Sequence, residues 1–374
     1  MIPSADLDWY ELQSPTAVTS PSLLVFPDRI SYNIRKAIEV AGEVDRLRPH
    51  VKTYKTPEIV HLHLEAGIRR FKCSTIAEAE MLGRCGVEEV LLAYQPVGPN
   101  IQRLRTVADH FPQVQYGALV DTKEIAHKLS EAFQDASQSL KIWLDLDSGM
   151  GRTGILPGEG AMELYRLCSE LPGLQLGGIH AYDGHFRQRE FTERKEASDE
   201  AYARVEGFSE QLKAAGLAVP TIVAGGSPTF PVHALRSETD LSPGTYALWD
   251  AGYAHICPEL DFLPAAVLLT RVISHPGTNR LCLDLGHKAV AAENPLTNRI
   301  RFLNVEIRTF VGQSEEHLIV EVDQPEKYPI GSEIYGIPWH ICPTVALHEQ
   351  MLVVRQGTVQ ESWWVEARHR KLRY

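Results

Sequence analysis

The residues best able to do chemistry begin with Arg48-Pro-His50-Val-Lys52-Thr-Tyr-Lys55, where two lysines follow a histidine at the end of an apolar run. A lysine whose surroundings lower its pKa keeps some neutral amine, which can condense with a carbonyl. Read as an extended strand, the segment places His50 and Lys52 on one face.

Polar residues gather in the same way at the ends of later apolar runs. Asp145-Leu-Asp147-Ser-Gly149-Met-Gly151-Arg152-Thr-Gly154 has the glycines of a tight turn, and the planar fork of Arg152 can reach a phenolate or a carboxylate. His180-Ala-Tyr182-Asp183-Gly184-His185 crowds four functional side chains together. In Gly225-Gly226-Ser227-Pro-Thr229 and Ser242-Pro-Gly244-Thr245, glycine amides and hydroxyls beside a following helix form the pattern that binds phosphate. Neither nucleotide-binding glycine motif, Gly-x-x-x-x-Gly-Lys-Ser or Gly-x-Gly-x-x-Gly after an early strand, is present.

Farther on comes Pro338-Trp-His340-Ile-Cys342-Pro-Thr344. If this stretch is extended, His340 and Cys342 share a face about 6–7 Å apart, close enough to share one metal ion. Imidazole with thiolate favours zinc over magnesium or calcium. Two ligands are too few for a structural zinc, so the expectation is a catalytic ion with open positions.

These groups need a scaffold that brings strand ends together. Apolar strand candidates recur at 47–52, 70–74, 89–94, 116–121, 141–147, 174–182, 221–226 and 240–248, with helical patterns such as 75–85, 100–111, 122–133 and 189–215 between them. Alternating β and α elements imply a parallel sheet, and this repeat and length suit a (β/α)₈ barrel, with a doubly wound open sheet as the alternative. Catalytic groups of such barrels lie at the C-terminal strand ends, which is where the stretches above fall. From Ala265 onward the segments are short, β-branched and punctuated by Pro, Gly and Asn, the signals of a mostly antiparallel β domain. The expected organisation is a barrel over 20–250 and a β domain over 251–374, with residues 1–19 against the β domain.

At 374 residues the chain can carry two cores, and its 44% apolar and 23% charged content is that of a soluble globular protein. No apolar run approaches the roughly 20 residues that span a bilayer, so no membrane association is expected. The formal charge of −11 disfavours nucleic acid as a partner. The six cysteines are scattered without a Cys-x-x-Cys, which fits a reducing cytoplasm, and no secretory pattern is visible at the start.

Taken in order, Arg48-Pro-His-Val-Lys-Thr53, Gly149-Met-Gly-Arg-Thr-Gly154, Gly225-Gly-Ser-Pro-Thr229, Ser242-Pro-Gly-Thr245 and Pro338-Trp-His-Ile-Cys-Pro-Thr344 resemble one family over nearly the whole chain. It is the D-threonine aldolase and D-serine dehydratase group of fold-type III pyridoxal-phosphate enzymes, in the alanine racemase-like superfamily. The resemblance implies an alanine racemase-type (β/α)₈ barrel with a C-terminal β domain. It makes Lys52 the Schiff-base lysine, with Lys55 in support; His50, beside Lys52 on the same strand face, is the second catalytic candidate. Arg152 falls near the cofactor's phenolic oxygen, Tyr182 near its ring, and Gly225, Gly226, Ser227, Gly244 and Thr245 at its phosphate. His340 and Cys342 fall at a divalent metal, zinc first and manganese second.

The activity implied is metal-assisted retro-aldol cleavage of β-hydroxy D-amino acids, with D-serine-type dehydration as the alternative. The metal pair argues against a racemase. The β domain together with that pair argues against a non-catalytic cofactor carrier. The family commonly forms homodimers.

Overall fold

A computed structural model describes residues 9–373. Residues 1–8, part of the N-terminal segment expected against the β domain, lie outside the described residues. The described residues divide into two compact units, one comprising 34–244 with 367–373, the other 9–33 with 245–366.

Strand β1 (Ser22–Val25) belongs to the second unit, and the first is built on β2 (Arg70–Cys73), β3 (Glu89–Leu92), β4 (Gln115–Val120), β5 (Leu140–Leu146), β6 (Leu174–Ala181), β7 (Thr221–Ala224) and β8 (Thr239–Leu241). These seven strands are parallel and adjacent in chain order. Their near-continuous apolar character follows from burial on both faces, as in β3, where every residue is buried. The eighth stave is the segment around Arg48. Its Leu47 bridges to Leu241 and its His50 to Lys72, both in parallel, so the segment joins β8 to β2 and closes the ring. It forms isolated bridges rather than the expected strand over 47–52. Pro49 has no N–H to donate, and Val51–Thr53 turn into a 3₁₀ helix.

Inside the barrel Leu91, Leu119, Trp143 and Val223 pack together. Around Arg48, near the strand starts, lies a buried ion network. Arg48 bonds Glu89 and, at 3.1 Å, Asp240, while Lys141 also bonds Glu89 and Arg70 reaches Asp240 at 3.0 Å. The Arg48 guanidinium lies 5.2 Å from the Trp143 ring centroid. Each charge is paired, as burial at this depth requires.

The other unit is a nine-stranded sheet that adds β9 (Ala266–Ser274), β10 (Arg280–Leu283), β11 (Ile300–Phe302), β12 (Thr309–Gln313), β13 (Leu318–Glu321), β14 (Glu333–Pro338), β15 (Gln350–Arg355) and β16 (Thr358–Trp364) to β1. Every pairing is antiparallel except that of β1 with β15. Its core draws on both chain ends, packing Tyr10, Leu12 and Leu24 with Val267, Tyr335, Ile337 and Val354. Among the described residues no helix is long and apolar enough to cross a membrane.

Candidate active site

In the barrel unit the site is built on the 3₁₀ turn after His50. His50 caps that turn, its Nδ1 accepting the Lys52 backbone N–H at 3.3 Å. Burial first, and then the charges of Lys52 and Lys72, hold His50 well below its ordinary pKa, so the ring is neutral with its proton on Nε2. His50 thus orients the turn that carries Lys52 through a cap, not through strand alternation. Gly244 lies against the same turn, where a Cβ would come within 2.8 Å of the His50 carbonyl oxygen.

Tyr182, at the end of β6, is the point on which the other groups converge. The Lys52 Nζ lies 5.8 Å from its ring centroid and the Arg152 guanidinium 4.8 Å. A Cβ at Gly226 would come within 2.9 Å of the same ring. Arg152 is presented by a loop folded on Asp147, whose Oδ1 accepts the amides of Gly149 at 2.9 Å and Gly151 at 3.0 Å. Those backbone donors hold the Asp147 carboxyl below its usual range, and Gly149 and Gly151 have the positive φ of 118° and 65° that the loop needs.

In the turn after β7, the Gly225 N–H donates to the Ala181 carbonyl of β6 at 3.2 Å and the Gly226 N–H to Thr229 Oγ1 at 3.2 Å. The Gly244 amide donates to Ser227 Oγ at 3.5 Å. Behind the turn lies the buried Asp183 carboxylate, which accepts from Thr229 Oγ1 at 2.6 Å and Ser198 Oγ at 3.1 Å and bonds His233 Nε2 at 2.8 Å. Asp183 stands out in the sequence within His180–His185, whereas Ser198 and His233 reach it only through the fold.

A further lysine comes into this site. Lys72, in the middle of β2, is 2% exposed, with its Nζ 3.5 Å from His180 Nε2 and 5.8 Å from the Tyr182 centroid. His180 Nδ1 in turn lies 2.7 Å from Asp145 Oδ1. The available signal was a lysine flanked by Phe71 and Cys73 in a strand otherwise destined for burial. Among the described residues no carboxylate is within 4 Å of the Nζ of Lys52 or of Lys72, whereas Lys55 is ion-paired with Glu78.

The β unit holds the second group. His340 and Cys342 meet at the start of the helix Ile341–Leu347, with His340 as its N-cap, not on the extended strand the sequence suggested. Pro343 suits a first helical turn, where its missing N–H has no partner to lose. Two side-chain oxygens support this corner: Asp250 accepts the Ile341 amide at 2.9 Å, and Thr245 Oγ1 lies 3.7 Å from Cys342 Sγ. His340 Nδ1 bonds Glu293. Burial disfavours the His340 cation, but the hydrogen bond and charge of Cys342, with Glu293 and Asp250, raise its pKa to about 9. A soft imidazole–thiolate pair whose histidine is backed by a carboxylate suits a divalent ion of the zinc type. Among the described residues no third His, Cys, Asp or Glu completes a cluster.

Residues 25–249 match the alanine racemase N-terminal domain model and 265–354 the putative serine dehydratase domain model. The chain is 29% identical to the D-threonine aldolase of Arthrobacter sp. over 359 residues, covering 94% of this chain and 93% of that protein. It is 28% identical to the 3-hydroxy-D-aspartate aldolase of Paracoccus denitrificans over 363 residues, covering 94% and 92%. The crystal structure of the D-threonine aldolase from Filomicrobium marinum superposes with a TM-score of 0.87 at 28% identity, covering 94% of this chain and 96% of that one.

Proposed function

The chain belongs to the alanine racemase N-terminal domain family, and on that premise we propose that it is a pyridoxal-phosphate- and metal-dependent lyase cleaving D-threonine-like β-hydroxy D-amino acids to glycine and an aldehyde. The observation that carries this reading is the convergence of Lys52, Arg152 and Gly226 on Tyr182, with Lys52 apart from any described carboxylate.

When bound, pyridoxal phosphate supplies a carbonyl for an amine and a conjugated ring that accepts the electron pair released at a substrate Cα. Lys52 is the amine that holds it, and the His50 cap fixes the turn from which Lys52 projects. Tyr182 offers an aromatic face, and Arg152 offers a fixed cation to an anionic ring oxygen. Gly225, Gly226, Ser227, Gly244 and Thr245 supply small residues and hydroxyls for the phosphate.

His340 and Cys342 are the proposed metal ligands, for zinc first and manganese second. An ion there would act as a Lewis acid toward the substrate hydroxyl. A dehydratase activity is the second reading, favoured by the match of 265–354 to the serine dehydratase domain. Six cysteines free of disulfides fit a cytoplasmic site of action, and the family resemblance supports a homodimer.

The test is to incubate the protein with D-threonine or D-serine, with and without a chelator. Acetaldehyde and glycine from D-threonine, lost on chelation and restored by zinc or manganese, are expected. Pyruvate and ammonia from D-serine in their place would move the protein to the dehydratase reading. Turnover of neither, by protein carrying the cofactor's visible absorbance, would remove the lyase reading.

A further inference from the structure

Lys72 has no part in the proposed lyase chemistry, yet its surroundings are built rather than incidental. Burying an amine in a barrel interior is costly unless its charge is compensated, and here the compensation is indirect. Lys72 meets His180, which is held by Asp145, so strands β2, β6 and β5 contribute one residue each to a chain across the interior. The His180 Nδ1–H donates to Asp145, which leaves Nε2 as the acceptor facing Lys72. Lys72 and Lys52 reach the same Tyr182 ring at equal distances of 5.8 Å. The backbone couples them as well, since the Lys72 amide donates to the Pro49 carbonyl at 2.9 Å, three residues before Lys52.

We propose that Lys72 is a charge-setting residue of the Lys52 site, which gains or loses a proton against the His180–Asp145 pair and so changes the field felt at Lys52 and at whatever Lys52 holds. The inference rests on the proposed role of Lys52. The charged and titratable groups around Lys72 are Lys52 and His50 on the closing segment with Arg48 farther along it, Asp145 and Arg152 on β5 and its loop, and His180 and Tyr182 at the end of β6. Burial, the Lys52 charge and the two arginines outweigh Asp145 and bring Lys72 down to about 7. A group titrating there switches the local charge within the neutral range, which an ordinary lysine does not do.

A spectrophotometric pH titration of the cofactor-loaded protein tests this without reference to turnover. The wild type should show a neutral-range step in the visible band. Lys72→Met and Lys72→Arg should both lose the step, because neither side chain changes charge there. Arg should fix the band in the wild type's low-pH form and Met in its high-pH form. Asp145→Asn, which removes the one acid that supports the Lys72 cation, should move the step downward by roughly one pH unit.

No neutral-range step in the wild type, or a step that persists in Lys72→Met, would overturn the inference. Borohydride trapping followed by peptide mass analysis separates the two readings. Cofactor found on Lys52 with no Lys72-dependent step refutes this inference alone, whereas cofactor found on Lys72 refutes the assignment of Lys52 as well.

Discussion

Lys55 forms an ion pair with the buried Glu78, and that pair divides the labour between the two lysines of Arg48–Lys55. The Glu78 side chain is fully buried and accepts from the Ser74 amide at 2.6 Å as well as from Lys55. Lys52, three residues earlier, has no such partner among the described residues. Lys52→Ala should therefore abolish the cofactor's visible absorbance while leaving folding intact. Lys55→Ala should retain the absorbance but cost about 3–5 kcal/mol in denaturant unfolding, because it leaves the Glu78 charge buried and unpaired. The reverse outcome, absorbance lost with Lys55 and kept without Lys52, would exchange the two roles.

Asp183 governs the turn after β7 through Thr229, whose hydroxyl links the carboxylate to the Gly226 amide. Burial works against this carboxylate, yet His233, Thr229 and Ser198 outweigh burial and hold its pKa below the ordinary value. A carboxyl depressed in the folded state stabilises at pH values above its unfolded pKa, and that stability is lost as the pH falls through the folded value. Asp183→Asn should thus cost about 1.5–3 kcal/mol at neutral pH. The gap to wild type should narrow as unfolding is repeated toward about pH 3. An equal gap at both pH values would show that the side chain acts by shape, not by charge.

Much of this architecture is legible in the sequence because a parallel barrel buries its strands on both faces, so β2 through β8 read as apolar runs with helical patterns between them. The chain departs from its local pattern where a local rule is overridden. The run at 47–52 looks like a strand, but Pro49 withholds a donor and the chain turns at Val51, so Lys52 is aimed by a capped 3₁₀ turn. His340-Ile-Cys342 follows a strand and looks like its continuation, yet Pro343 belongs to a first helical turn, and the two side chains meet across a cap. Arg48 marks the family motif in the sequence; in the fold it pairs with Glu89 and Asp240, acids 41 and 192 residues away. Lys72 is silent in the sequence for a similar reason. Its neighbours His180 and Asp145 come from strands that no local pattern links to β2.

The bond between His340 Nδ1 and Glu293 makes a prediction about metal retention that is separate from catalysis. A carboxylate on one imidazole nitrogen fixes the tautomer, turns the other nitrogen toward an ion and raises its basicity. Glu293 is about half exposed, so its replacement should disturb folding little. Glu293→Gln should weaken metal retention about 10- to 100-fold, whereas Cys342→Ala, which removes a proposed ligand outright, should weaken it further. Dialysis against metal buffers followed by elemental analysis measures both, with the visible absorbance of the cofactor as a control that should not change. Loss in Cys342→Ala alone would leave Glu293 without a part in the metal centre. Undiminished retention in both variants would mean that the ion, where one binds, is held elsewhere.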